Sequence, residues 1–413
     1  MKKTGRNEKC SCESGQKYKY CCMEDDIRRR KELEKEERVS VYNRFSVIRD
    51  PRDNRGKKYL IMDLLIMVIY GILNGYEDFD NLADFLHLNE KYFKKLLLID
   101  KTPSHDCLSH LFAIIDAKEF MDIFVEWIKE VVGQRQGSII ALDGKAIKSA
   151  RDKINGGNTP YILSAYLSEI GISIGQVEVG KKSNEITAIP ELLKIIDVKG
   201  NFITIDAVGT QENITRKIVS LGGHFVLKVK GNQKTLMNDL QTYFYNNADK
   251  TPLALREKTK PEKNHGRGEY REYYISHNVG CITNKEKWDK VASIGMVRVH
   301  RRIEGKISVN EHYYIMDTKI EIGMFKKCTR LHWNIECGLH WRLDVIMNED
   351  HSRNRMGNSI SNLSIIRKIV FNLIRLDTSF GRISFKKKMS RYRNNFEHIE
   401  NLIFNMLPNV YDS

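Results

Sequence analysis

Two aspartates and a glutamate carry the chemistry that these residue types and their placement suggest first. Asp143 closes the apolar run SIIALD, Asp206 closes FITID, and Glu336 sits in TRLHWNIECGLHWRLDV. Carboxylate oxygens brought together suit hard divalent cations such as Mg²⁺ or Mn²⁺. Two such ions activate the attacking oxygen and stabilise the leaving oxygen of an in-line phosphodiester displacement. Without a cation, three close carboxylates repel one another and one tends to keep its proton. An aspartate after a buried strand is more often a turn or helix cap than a ligand, by about three to one. Two of them on neighbouring strands shift those odds, and the context of Glu336 decides its part.

The elements that must position these acids follow from apolar periodicity. Residues 40–135 read as helical, with apolar runs at 59–73, 108–115 and 120–132. From 138 the texture changes. SIIALD, YILSAYLSE and ISIGQVEVG read as three strands, the last two a hairpin turning near Gly171. A helix at ITAIPELLKIID follows, with Pro190 expected near its first turn. Then come the strand FITID, the helix QENITRKIVSL, the strand HFVLKVK and a helix over 234–247. Residues 252–318 carry strand-like runs typical of an antiparallel β insertion. Helices over 321–347 and 359–376 precede a polar, basic end. Three strands followed by alternating helices and strands is the ribonuclease-H-like order, an α/β core preceded by a helical domain. In that order the strands of Asp143 and Asp206 lie side by side.

Composition sets the class of partner. The chain has 413 residues and a formal net charge of +15, and an excess of Lys and Arg favours a polyanion. The start, MKKTGRNEKC, has no apolar core of a secretory signal. The stretch Tyr59 to Leu73 is too short to span a bilayer and contains Asp63, so it reads as a buried helix. No membrane partner is expected, and the expected location is cytoplasmic, associated with the nucleoid.

Several blocks in order make the chain recognisable. DPRDNRGKKYLIMDLL, ALDGKAI, KKSNEITAIPELL, ITIDAVGTQ, LKVKGNQ, HGRGEYR, TRLHWNIECGLHWRLDV and EDHSRNRMGNSISNLSIIRK resemble the insertion-sequence DDE transposases of the H-repeat-associated branch, over roughly residues 40–376. The resemblance implies that Asp143, Asp206 and Glu336 are the DDE triad. It also implies that the β insertion is the family's usual one. The wider superfamily has Tyr and Arg where this chain has Thr329 and His332; the Arg-x-His-Trp of this branch is supplied by Arg330, His332 and Trp333. Cys337 stands where Asn is usual after the glutamate.

The polar residues around these blocks suit double-stranded DNA. Lys145, Lys228, Lys230, Asn232 and Gln233 are placed to clamp a backbone or a flipped base. His265 and Arg267 would contact phosphate near the cut, and Arg330, His332, Arg353 and Arg355 add further contacts. Each basic residue has a solvated side chain as its plain alternative. Trp333 and Trp341 read as packing residues. A homo-oligomer bridging two DNA ends is expected.

The amino terminus is separate. Cys10, Cys12, Cys21 and Cys22 supply four thiolates within thirteen residues, a set that tetrahedral Zn²⁺ accepts. GRNEKCSCESGQKYKYCC resembles the SEC-C zinc module known from the carboxyl end of the bacterial secretion ATPase, a docking element for protein or nucleic acid. The expected organisation is therefore an SEC-C-like motif at 1–23 and a charged linker at 24–39. A helical domain at 40–135, where DNA ends are recognised, leads to a catalytic domain at 136–378 with its β insertion at 252–318. A basic tail occupies 379–413. The leading function is an active transposase that cuts element ends and joins them to target DNA. The competing one is a non-catalytic DNA- or protein-binding adaptor on the same scaffold.

Overall fold

The computed structural model describes residues 14, 17, 40–53, 57–150, 159–180, 184–264, 267–304 and 306–404. In chain order the first helices are α1 (Val41–Phe45), α2 (Ile61–Asn74), α3 (Phe79–Leu88), α4 (Glu90–Leu97), α5 (His105–Ile114) and α6 (Ala117–Val132). Then follow β1 (Ile139–Ala146), β2 (Tyr161–Leu167), β3 (Ile172–Val179), α7 (Glu185–Ile195), β4 (Phe202–Ile205), α8 (Glu212–Ser220), β5 (His224–Val229) and α9 (Lys234–Asn247). Five strands come next: β6 (Arg256–Lys258), β7 (Glu262–Asn264), β8 (Arg267–Ser276), β9 (Ser293–Ile303) and β10 (Lys306–Met316). The chain continues as α10 (Ile322–Leu331), a π-helical turn (Ile335–His340), α11 (Trp341–Val345), α12 (Ser359–Leu376), α13 (Phe385–Tyr392) and α14 (Phe396–Phe404).

These elements form two compact units. One holds residues 135–145 and 161–341; the other holds the described residues up to 134, those of 146–160, and 342–404. The first is built on a mixed open sheet in the order β3-β2-β1-β4-β5-β10-β9-β8-β6, with β7 paired to β8. Apolar alternation explains its core. Ile139, Val226, Tyr273, Ile275, Val297, Val299 and Met316 project from the sheet against Phe325 and Cys328 of α10. The segment after α9 does not stand apart. Its strand β10 pairs antiparallel with β5, Tyr314 opposite Lys228, so these strands continue the central sheet.

In the helical unit every residue of α2 is buried, which is why so apolar a run needs no membrane. Among the described residues no helix is long and apolar enough to cross one. The sequence reading departs from the structure at three places. Its catalytic domain runs to 378, whereas residues 342–404, including α12, belong to the helical unit, where α12 packs on α2, α5 and α6. The basic tail is not a tail up to 404. Phe385, Met389 and Tyr392 of α13 and Ile399, Leu402 and Ile403 of α14 are buried, an apolar spacing that the surrounding Lys and Arg mask. Pro190 is the sixth residue of α7, beyond its first turn; Asn184 starts that helix by accepting from the Thr187 N–H.

Candidate active site

Sheet register brings the first two acids together. β1 and β4 run parallel with Leu142 opposite Ile205, so Asp143 and Asp206 are the next residues on adjacent strands. Burial ends at the same level: Ile139 to Leu142 are buried and Asp143 is half-buried. Asp206 starts the short turn Ala207–Gly209, its Oδ1 accepting from the Val208 N–H at 2.8 Å. Asp206 is thus a cap as well as a candidate ligand, and the cap engages one of its two oxygens.

Glu336 is exposed and lies in the π-helical turn that follows α10, where the sequence reading has one continuous helix over 321–347. A 3.6-residue apolar pattern does not reveal such a turn, whose hydrogen bonds run to the fifth residue. Partial burial and then Asp143 raise the Glu336 pKa, with a smaller push from Asp206; His340 and Lys230 oppose them. The three acids of the sequence reading are therefore electrostatic neighbours. His332, ending α10, places Nδ1 3.0 Å from Thr204 Oγ1, two residues before Asp206. Burial holds its pKa below the ordinary value against the pull of Asp143 and Asp206, so it ties the helix to β4 as a neutral ring.

Two further residues belong here. Glu185, the first residue of α7, has its pKa pushed up to about 7 by burial, then by Asp143 and Asp206. Tyr161 donates its hydroxyl to Glu185 Oε2 at 3.2 Å. The Tyr161 ring lies on Gly144, where a Cβ would overlap it. Sequence reasoning passes over Glu185 because an acid in a helix's first turn is ordinary dipole compensation; its only signal is membership of the block KKSNEITAIPELL. His340, four residues after Glu336, places Nδ1 3.3 Å from Asp143 Oδ2.

Of the polar residues expected at DNA, some converge and some do not. Burial and the neighbouring Lys230 lower the Lys228 pKa, while Asp206 and Glu336 raise it, so both lysines border the acids. On the same face His312 is held down to about 4 by burial and then by Lys228, Arg301, Arg271 and Lys230. Asn232 and Gln233 are engaged internally: Asn232 Nδ2 donates to Ala207 O at 2.7 Å and Gln233 Nε2 to Thr210 O at 2.9 Å. They fasten the loop that follows Asp206. Arg330 reaches Glu262 at 3.4 Å, and Lys145, beyond Asp143, is half-buried. Arg353 and Arg355 are exposed in the helical unit, where Arg355 donates to Ser149 O at 3.1 Å. Cys10, Cys12, Cys21, Cys22 and His265 lie outside the described residues, as does the side chain of Arg267. Trp333 and Trp341 do not pack: they are 54% and 52% exposed. They stand eight residues apart, and Glu336 and Cys337 between them are exposed too, so the four mark one outward stripe.

Whether these residues suit a divalent cation has two sides. Among the described residues no three His, Cys, Asp or Glu side chains are close enough together to hold a metal ion. The donor set is that of a hard cation, and the raised pKa values of Glu185 and Glu336 mark uncompensated negative charge that such a cation would neutralise. The chemistry fits; a closed coordination shell is absent.

Comparison with known proteins gives three family matches: "DDE_Tnp_1-associated" over residues 42–128, "Transposase DDE domain" over 134–373, and "SEC-C motif" over 6–24. "Putative transposase YncI" of Escherichia coli O157:H7 is 34% identical over 369 residues, covering 88% of this chain and 94% of that protein. "H repeat-associated putative transposase YhhI" of Escherichia coli (strain K12) is 30% identical, covering 84% and 93%. The cryo-EM structure of a piggyBac transposase synaptic complex with hairpin DNA is similar at a TM-score of 0.39 and 12% identity, covering 85% of this chain and 77% of that one, a distance at which residues are not equated.

Proposed function

Since this chain belongs to the DDE transposases, in the branch of the H-repeat-associated proteins and with an SEC-C motif at its amino end, we propose that it cuts DNA at the ends of an insertion sequence and joins them to target DNA. The observation that carries the reading is the register that sets Asp143 beside Asp206, together with the mutual electrostatic reach of both with Glu336. Asp143, Asp206 and Glu336 would hold Mg²⁺ or Mn²⁺, which supplies charge neutralisation and activation of oxygen at the scissile phosphate. Glu185 is a fourth acid at the same place.

The chain's own groups position the substrate. Lys228 and Lys230 draw the phosphodiester backbone toward the acids, whose charge would otherwise repel it. Asn232 and Gln233 keep the Asp206 loop fixed while this happens. In-line phosphoryl transfer depends mainly on such positioning. The helical unit would recognise the element's ends, and a homo-oligomer would bridge two of them. The four amino-terminal cysteines would bind Zn²⁺ and dock a protein or nucleic-acid partner.

The test is cleavage and joining of labelled DNA carrying the element's ends, with Mg²⁺ or Mn²⁺, by wild type and Glu336→Gln. Metal-dependent products that vanish in the variant are expected. Tight DNA binding by both proteins with no products from either overturns the reading and leaves the adaptor.

A further inference from the structure

His340 is a buried histidine that the proposed reaction does not yet use. It is 8% exposed and ends the π-helical turn that carries Glu336. Its Nδ1 lies 3.3 Å from Asp143 Oδ2. Its Nε2 is buried and has no hydrogen-bond partner among the described residues. A buried N–H without an acceptor is rarer and costlier than an acceptor left without a donor. The single proton of a neutral imidazole therefore belongs on Nδ1, where Asp143 accepts it, with Nε2 as the bare lone pair. A charged group faces the ring from each side, Asp143 from β1 and Glu336 from its own turn.

The helix geometry explains why this contact needs a special turn. Glu336 and His340 are four residues apart, neighbours on one face. Widening the helix to a π turn just here lets Glu336 stay exposed while His340 is buried against β1. Two residues of one turn thus address the same acid site, one from solvent and one from beneath.

We infer that His340 is a positioning residue, holding Asp143 by one carboxylate oxygen through its Nδ1–H so that the other oxygen keeps a fixed direction. A hydrogen bond of this kind restricts the rotation of the carboxylate and leaves its ionised state favoured. The inference rests on the proposed role of Asp143, but its first observable does not.

That observable is the ¹⁵N spectrum of the metal-free full-length protein, with His340 assigned by substitution. A protonated-type Nδ1 and an unprotonated-type Nε2 are expected; a proton on Nε2 alone overturns the inference, whatever the enzyme does. The second test compares His340→Asn, whose amide N–H falls near the place of Nδ1, with His340→Leu. Loss of an orienting partner commonly costs about 10–100-fold in metal affinity or activity. His340→Leu is expected to lose about that much in Mn²⁺ affinity and in cleavage rate at saturating DNA, with its DNA affinity held. His340→Asn is expected to recover most of both. Equal behaviour of the Asn and Leu variants, at similar melting temperatures, reduces His340 to packing and overturns the inference. If Asp143→Asn itself changes neither Mn²⁺ binding nor cleavage while the ¹⁵N result stands, the proposed reaction fails and the His340–Asp143 contact survives.

Discussion

Glu185 carries the clearest consequence at the scale of single residues. Its carboxyl keeps a proton up to about pH 7 in the fold, against 4.5 for the ordinary side chain. An acid whose pKa is raised on folding stabilises the protein fully below its unfolded value, and that contribution is lost as pH rises through the folded one. Glu185→Gln removes the titration. Without added metal, the variant should match wild type near pH 4 and become more stable than it by about 1 kcal/mol at pH 8, after solvent screening is allowed for. Urea melts at the two pH values measure this. A constant difference across that window would mean that Glu185 does not face Asp143 and Asp206. Added Mn²⁺ should shrink the gain, because the cation neutralises the same charge. Asp143, Asp206 and Glu336 were legible in the sequence because strand ends and a recognisable block mark them. Glu185 and His340 were not, since each is ordinary on its own helix and gains meaning only from what stands opposite.

The elements show what apolar periodicity can and cannot find. Strands β1 to β5 and helix α9 fall where alternation and the 3.6-residue period place them, because their buried faces are continuous. The break between Leu331 and Ile335 escapes that period, since a π turn alters hydrogen bonding and leaves hydrophobicity unchanged. Nor could alternation show that β10 would anneal to β5, which is a pairing choice between strands distant in sequence. Trp333 and Trp341 look like core residues by composition and prove exposed. The close approach of β1 to Tyr161 gives a test at this scale. Gly144→Ala places a methyl group into the Tyr161 ring, and overpacking of this kind costs about 1–3 kcal/mol. Thermal unfolding should show the loss, and the variant should also lose the Tyr161–Glu185 hydrogen bond. An unchanged melting temperature would contradict the packing of β1 against Tyr161.

Over the whole molecule, the division into units differs from the linear order of domains. Residues 342–404 return to the helical unit, so the amino- and carboxyl-terminal helices share one core. Deleting residues 379–413 should strip buried Phe385, Met389, Tyr392, Ile399, Leu402 and Ile403 from that unit and lower its melting temperature. A basic tail with no packing role would leave it unchanged. The net charge of +15 is what a chain that must hold DNA against its own acidic centre requires. The central claim is that this centre binds divalent cations through Asp143, Asp206 and Glu336. It is tested most directly by Mn²⁺ titration, followed by electron paramagnetic resonance, of the full zinc-loaded chain and of Asp143→Asn, Asp206→Asn and Glu336→Gln. The account predicts saturable binding by wild type that each substitution weakens by about tenfold or more. Binding by all three variants as tight as wild type, or no binding by wild type with DNA present, would contradict it.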